Sequence, residues 1–165
     1  MSKTGDFLAT ASETGTIIRI FGTEKLANGE RNTAPYQEVR RGSTNANIHS
    51  LVFDNGNIPS FLACSSDRET IHIFVVEHKD HKDQKKNPTG NVISSIFGNN
   101  EAKAFATFQL PAKNLNAKCG FSEDGQTLVV ITQTGNYYEC EVPASGGSMK
   151  AKTHNELLST KSSAN

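Results

Sequence analysis

The chain has 165 residues, with 17 Lys+Arg against 17 Asp+Glu, five His and a formal net charge of zero. Hydrophobic residues make up 35% and aromatics 7%, with no Trp, so any core is modest and poor in aromatic rings. A neutral chain lacks the basic field of a general nucleic-acid binder, and no run approaches the roughly 18 apolar residues of a membrane-spanning helix.

The opening Met-Ser-Lys-Thr-Gly-Asp has no apolar core of a secretory signal. Residues 7–21 (FLATASETGTIIRIF) predict a β-hairpin: a short apolar strand, a polar turn at Thr14-Gly15, then a β-branched strand. A polar loop over 24–34 leads to a strand over 36–41. Residues 47–54 (NIHSLVFD) predict a further strand, and 61–74 (FLACSSDRETIHIF) a second hairpin with Arg68-Glu69 at its turn. A long polar stretch, 77–103, precedes a strand over 104–110. Residues 116–121 (NAKCGF) and 128–141 (LVVITQTGNYYECE) repeat the strand-then-hairpin order, with Thr134-Gly135 at the turn. After Pro143 the chain is Gly/Ser/Lys-rich and is expected to be disordered over 143–165.

The three hairpins are copies of one unit, with Leu8, Leu62 and Leu128 equivalent and 54 and 66 residues apart. These periods exceed the roughly 40–45 residues of a WD-type blade because each holds a polar insertion. The order inner strand, hairpin, outer strand is that of a four-stranded propeller blade; a β-sandwich is the alternative for so many short strands. The expected architecture is therefore all-β, a partial WD-type propeller over 1–142 with blades at 1–42, 43–110 and 111–142. Met1–Leu8 also aligns with Phe121–Leu128, matching Ser2, Gly5 and Leu8 to Ser122, Gly125 and Leu128. In the later copy an inner strand precedes this octapeptide, so the chain is expected to begin in mid-blade.

Two features carry chemistry. Val39-Arg40-Arg41-Gly42 ends the outer strand of the first blade. Successive side chains on a strand face opposite ways, so the two arginines suit two pockets, one on each side. Guanidinium is a permanently charged planar fork matched to phosphate oxygens, and Gly42 would end the strand and let backbone approach a ligand. The insertion 77–103 is the second feature. Its lysines, including Lys85 and Lys86, suit anionic headgroups, and Ile93, Ile96 and Phe97 are spaced to dip together into a membrane interface. Three cysteines, Cys64, Cys119 and Cys140, form no CxxC pair and read as inert buried thiols in a reducing compartment. His78 and His81 stand three apart in a charged run and read as solvated; no metal or cofactor is implied.

LATASETGTIIRIF, then VRRG, then IHSLVF and SSDRETIHIF resemble the PROPPIN family, seven-bladed β-propellers that bind polyphosphoinositides in autophagy and endolysosomal traffic. The resemblance spans about residues 5–142 and corresponds to the last three blades of the family fold. It implies that Arg40 serves one headgroup pocket with Arg19, Ser12 and Thr16, and that Arg41 serves a second with Ser66, Thr70 and His72. It also implies that 77–103 is a membrane-inserting loop. Val39 stands where the family usually has Phe or Leu, and Asn45 where it often has Arg. The expected function is non-catalytic binding of phosphatidylinositol 3-phosphate or 3,5-bisphosphate membranes. Autophagy proteins are the expected partners, nucleic acid is not, and the expected location is cytoplasmic, peripheral on autophagosomal and endosomal or vacuolar membranes. The competing reading is a lipid-independent interaction scaffold, or a truncated fragment without function.

Overall fold

The computed structural model describes residues 1–25, 29–31, 33–78, 103–111 and 116–157. Twelve strands occur among them: β1 Phe7–Ala11, β2 Ile17–Gly22, β3 Gln37–Arg40, β4 Ile48–Phe53, β5 Phe61–Ser66, β6 Thr70–Val75, β7 Ala106–Gln109, β8 Ala117–Phe121, β9 Thr127–Thr132, β10 Asn136–Glu141, β11 Gly147–Met149 and β12 Ala151–Glu156. They form three sheets, ordered β1-β2-β3, β4-β5-β6-β7-β11 and β8-β9-β10-β12.

One local device is used repeatedly to turn a strand back. Ser122 receives the Thr127 amide on its hydroxyl at 3.0 Å, returns its own amide to the Thr127 carbonyl, and accepts Gly125 N–H on its carbonyl. Ser2, Phe7 and Gly5 repeat this arrangement, and both glycines have positive φ, which a side chain would resist. The octapeptide similarity thus marks the same turn. In the second sheet Asp54 replaces the serine, its carboxylate accepting the amides of Ser60 and Phe61 at 2.8 Å.

The apolar residues form two clusters. Ile18, Ile20 and Val39 of the first sheet pack with Phe53, Leu62, Cys64, Phe74 and Val76 of the second. From the other face of the second sheet Ala63, Ile71, Ile73, Ala106 and Phe108 pack with Ala117, Leu128, Val130, Tyr138 and Cys140 of the third. The middle sheet is therefore covered on both faces, and β5 and β6 accordingly carry apolar residues on both of their faces.

The segment after Pro143 departs from its expected disorder. Gly147–Met149 pairs in parallel with β7, and Ala151–Glu156 pairs antiparallel with β10. The third sheet thus runs to Glu156 rather than ending near 142. Without these strands the outer edges of β7 and β10 would present unpaired amides and carbonyls. Met149 is also buried in the second cluster. Gly146 makes the crossing possible: its φ is 73° and a Cβ there would lie 2.3 Å from the Phe105 carbonyl. Composition registered the small polar residues and missed this edge pairing. Residues 158–165 lie outside the described residues.

Candidate functional site: two faces of one arginine-bearing strand

Sheet register separates the arginine pair. β3 pairs with β2 so that Val39 lies opposite Ile18, Arg40 opposite Ile17 and Glu38 opposite Arg19. Ile18 and Val39 point into the cluster shared with the second sheet, so Arg40, Arg19 and Glu38 occupy the opposite face. On that face Arg19 Nε donates to Glu38 Oε1 at 2.6 Å, with both side chains substantially exposed. Ser12 continues β1 with the alternation of Thr10, which lies opposite Arg19, and so comes to this side. Its hydroxyl accepts the Ile17 amide at 3.1 Å and approaches Thr14 Oγ1 at 3.3 Å.

By backbone register Thr16 falls opposite Arg41, while its hydroxyl is linked through Thr14 to that of Ser12. It sits in the turn before β2, its hydroxyl 2.9 Å from Thr14 Oγ1, and its carbonyl accepts the Arg41 amide at 2.9 Å. That bond places Thr16 opposite Arg41. The first hairpin turn is longer than the second, which shifts this threonine out of the alternation followed by Thr70.

Arg41 shares the parity of Val39 and turns toward the second sheet. It is 7% exposed. Its Nε donates to the Gly15 carbonyl at 2.6 Å and its Nη2 to the Thr44 carbonyl. Ser66, Thr70 and His72 come to the same seam, because His72 pairs with Cys64 and alternates with Phe74 on the face that meets Ile18 and Ile20. Thr70 Oγ1 donates to Gln109 Oε1 at 2.9 Å, and buried Ser66 accepts the Arg68 amide at 3.2 Å. His72 stacks on Phe74 with ring centroids 6.0 Å apart, and its buried Nδ1 has no hydrogen-bond partner among the described residues.

Burial, helped by the Arg41 charge, lowers the His72 pKa from 6.5 to about 4. Arg41 itself is lowered by burial, opposed by Cys64 and Asp67 and reinforced by Arg68. The unfolded chain therefore binds a proton at His72 between pH 6.5 and 4 that the folded chain refuses. Stability is full above pH 6.5, falls as pH drops through this window, and loses about 3 kcal/mol at most through His72. Urea melts of wild type and His72→Gln should show this slope in the first and its loss in the second.

Sequence reasoning missed Gly15 as a site residue. Its φ is 64°, and a Cβ there would stand 1.9 Å from the Ala46 carbonyl. By contrast Gly42 has no left-handed φ and no atom within 4 Å of a built Cβ, so the crowded glycine is Gly15. The only prior signal was the Thr-Gly turn. Also missed was Arg68, whose Nε and Nη2 donate to the Asn45 carbonyl at 3.1 and 2.7 Å. Between the two hairpin turns lies a polar groove of about 440 Å³, lined by Glu13, Thr14, Asn45, Asn47, Asp67 and Arg68 among others and by neither Arg40 nor Arg41.

Burial pushes the Cys64 and Cys140 thiols up to about 12, and Cys119 upward, so none is a thiolate at neutral pH. His78 is held by the Pro59 carbonyl at 2.9 Å and by the edge of Phe7. His81, Lys85, Lys86, Ile93, Ile96 and Phe97 lie outside the described residues.

No family model matches the chain. It is 34% identical over 154 residues to autophagy-related protein 21 of Schizosaccharomyces pombe, covering 87% of this chain and 43% of that protein. Autophagy-related protein 18 of Dictyostelium discoideum is 28% identical over 183 residues, covering 96% and 46%. A solved complex of KlAtg21 with the coiled coil of AgAtg16 superposes with a TM-score of 0.70 at 29% identity, over 95% of this chain and 40% of that one. Kluyveromyces lactis Hsv2 gives 0.69 at 23% identity, a likeness of fold alone. The chain spans less than half the length of these relatives. Repeated antiparallel sheets packed face to face, with an arginine pair split across an outer strand, define a partial β-propeller of the WD type. The relatives and solved structures that the chain matches over most of its length are PROPPIN β-propellers.

Proposed function

We propose that this chain is the lipid-headgroup-binding portion of a peripheral membrane protein of autophagy and endolysosomal traffic. It would hold phosphatidylinositol 3-phosphate or 3,5-bisphosphate in the cytoplasm-facing leaflet of autophagosomal and endosomal or vacuolar membranes. The observation that carries this reading is the divergence of Arg40 and Arg41 onto opposite faces of one strand end. Each face then offers a guanidinium beside side-chain hydroxyls or an imidazole: Arg40 with Arg19 and Ser12, Arg41 with Ser66, Thr70 and His72. Such groups bind phosphate through charge-assisted hydrogen bonds, and nothing is catalysed.

Two weak sites on one rigid edge reinforce one another, because the second binding event becomes intramolecular. The stretch 77–103 runs between β6 and β7 of the same sheet. Its take-off is pinned by Gln37, which accepts the Glu77 amide at 3.0 Å and donates to the Val75 carbonyl at 2.9 Å. Lysines and apolar residues launched from there would add a third, interfacial contact. By analogy with the solved complex of a relative, a coiled-coil autophagy protein is the partner class.

A second reading is favoured by Arg41 itself, whose two carbonyl bonds also suit a structural strut in a lipid-independent scaffold. The readings separate by thermal shift. Soluble inositol 1,3-bisphosphate at a hundred times its dissociation constant should stabilise the folded chain by about 2.7 kcal/mol. Inositol itself should not. Equal melting temperatures with both compounds would leave the scaffold reading standing.

A further inference from the structure

We propose that Arg68 is a third guanidinium of the Arg41 side and gives that side a preference for headgroups bearing a second ring phosphate. The inference rests on the phosphoinositide reading and adds to it a residue and a selectivity.

Arg68 lies in the turn joining β5 to β6, between Ser66 and Thr70. Its backbone amide is tied to Ser66 Oγ at 3.2 Å, and its guanidinium reaches across to the first sheet's exit segment to grip the Asn45 carbonyl with two N–H groups. Arg41 grips the preceding carbonyl, that of Thr44. Consecutive Cα atoms are about 3.8 Å apart, so two guanidiniums converge on one short piece of backbone. Neutral carbonyls orient them and do not cancel their charge.

The acids nearby keep their charge and are oriented by neutral amides. Asp67 makes a loose ion pair with Arg68 at 3.9 Å, and its two oxygens accept the backbone amide and side-chain amide of Asn47 at 3.1 and 3.0 Å. Glu69 Oε2 lies 3.5 Å from Gln109 Nε2. Burial is the main cause of the lowered Arg41 pKa and the nearby Arg68 charge adds to it; an anion placed across the two cations relieves their repulsion. The two cations also differ in access: Arg41 is buried, whereas the Arg68 side chain is 55% exposed. A buried fork and an exposed fork on adjacent carbonyls fit two phosphate groups on one ring better than a single group. The resemblance leads to an arginine at position 45; here the chain has Asn45, and a cation reaches the same backbone from the neighbouring sheet.

The test uses the full chain carrying Arg40→Thr, so that only the Arg41 side is read, with and without Arg68→Met. Calorimetric titration with inositol 1,3-bisphosphate, inositol 1,3,5-trisphosphate and inorganic phosphate gives the affinities. Loss of one charge-assisted contact should weaken the trisphosphate about tenfold and the bisphosphate less than twofold. Vesicles carrying the 3,5-bisphosphorylated and 3-phosphorylated lipids should reproduce this split. An equal loss for both headgroups, or no loss for either, overturns the role of Arg68 while leaving headgroup binding intact. Inorganic phosphate bound as tightly as the trisphosphate also overturns it, since the ligand would then be free phosphate. Failure of the unsubstituted chain to bind any headgroup or vesicle removes the phosphoinositide reading itself, and this proposal with it. Should Arg68→Met not fold, Arg68→Lys carries the same comparison: charge without the fork should lose the trisphosphate preference about threefold, and an unchanged preference overturns the proposal.

Discussion

Changing Arg40 and Arg41 together to Thr is expected to abolish flotation of the chain with liposomes containing phosphatidylinositol 3-phosphate. Each guanidinium supplies charge-assisted hydrogen bonds worth about 1.5–3 kcal/mol, and loss of both sites also removes the avidity of about 10²–10⁴-fold that joint engagement provides. The single variants should differ in kind. Arg40 is half-buried on the face away from the second sheet, so Arg40→Thr should weaken flotation with little change in the urea midpoint. Arg41 is buried and ties the Gly15 and Thr44 carbonyls, so Arg41→Thr leaves two acceptors unfilled and should also cost stability, about 1–3 kcal/mol for each if buried. Flotation of the double variant at the wild-type level would remove both arginines from lipid binding.

Gly15→Ala is the second substitution with a large expected effect. A left-handed backbone costs a non-glycine residue about 1–2 kcal/mol, and here the added methyl also meets the Ala46 carbonyl at 1.9 Å. That carbonyl is backbone and cannot rotate away alone. The Ala46 amide is itself bonded to Thr14 at 3.0 Å, so the turn and the 42–47 segment must separate together. Arg41 would lose its Gly15 acceptor in the same movement. We expect a drop in urea stability of at least about 2 kcal/mol, with weaker binding of soluble headgroup confined to the Arg41 side. Gly42→Ala, where a Cβ meets nothing within 4 Å, should be close to neutral in the same melt. Equal melts for the two alanine variants would show that the turn accommodates the methyl.

Much of the sheet structure was legible because it is local. Each hairpin announces itself by a β-branched or aromatic strand, a polar turn and a second such strand, and the turns satisfy their own backbone groups with Ser2, Asp54 or Ser122. The Ser-x-x-Gly similarity at residues 2–5 and 122–125 was readable for that reason. The backbone register of Thr16 was not, since one extra turn residue shifts its pairing and similarity of letters does not count residues around a turn. The strands at 147–149 and 151–156 escaped because their pairing partners, β7 and β10, supply the reason they are ordered.

Residue order alone sets the repeated hairpins, the location of the basic pair and, through the two-residue period of a strand, the parting of Arg40 from Arg41. Those follow from covalent geometry and from bonds between near neighbours. What each arginine meets depends instead on how the sheets pack. Arg41 reaches Gly15, 26 residues back, and shares its seam with His72 of the second sheet. Arg68 comes to Asn45 from 23 residues away. Apolar clusters on both faces of the middle sheet hold the three sheets together, and it is this packing that turns scattered polar letters into two faces of a site.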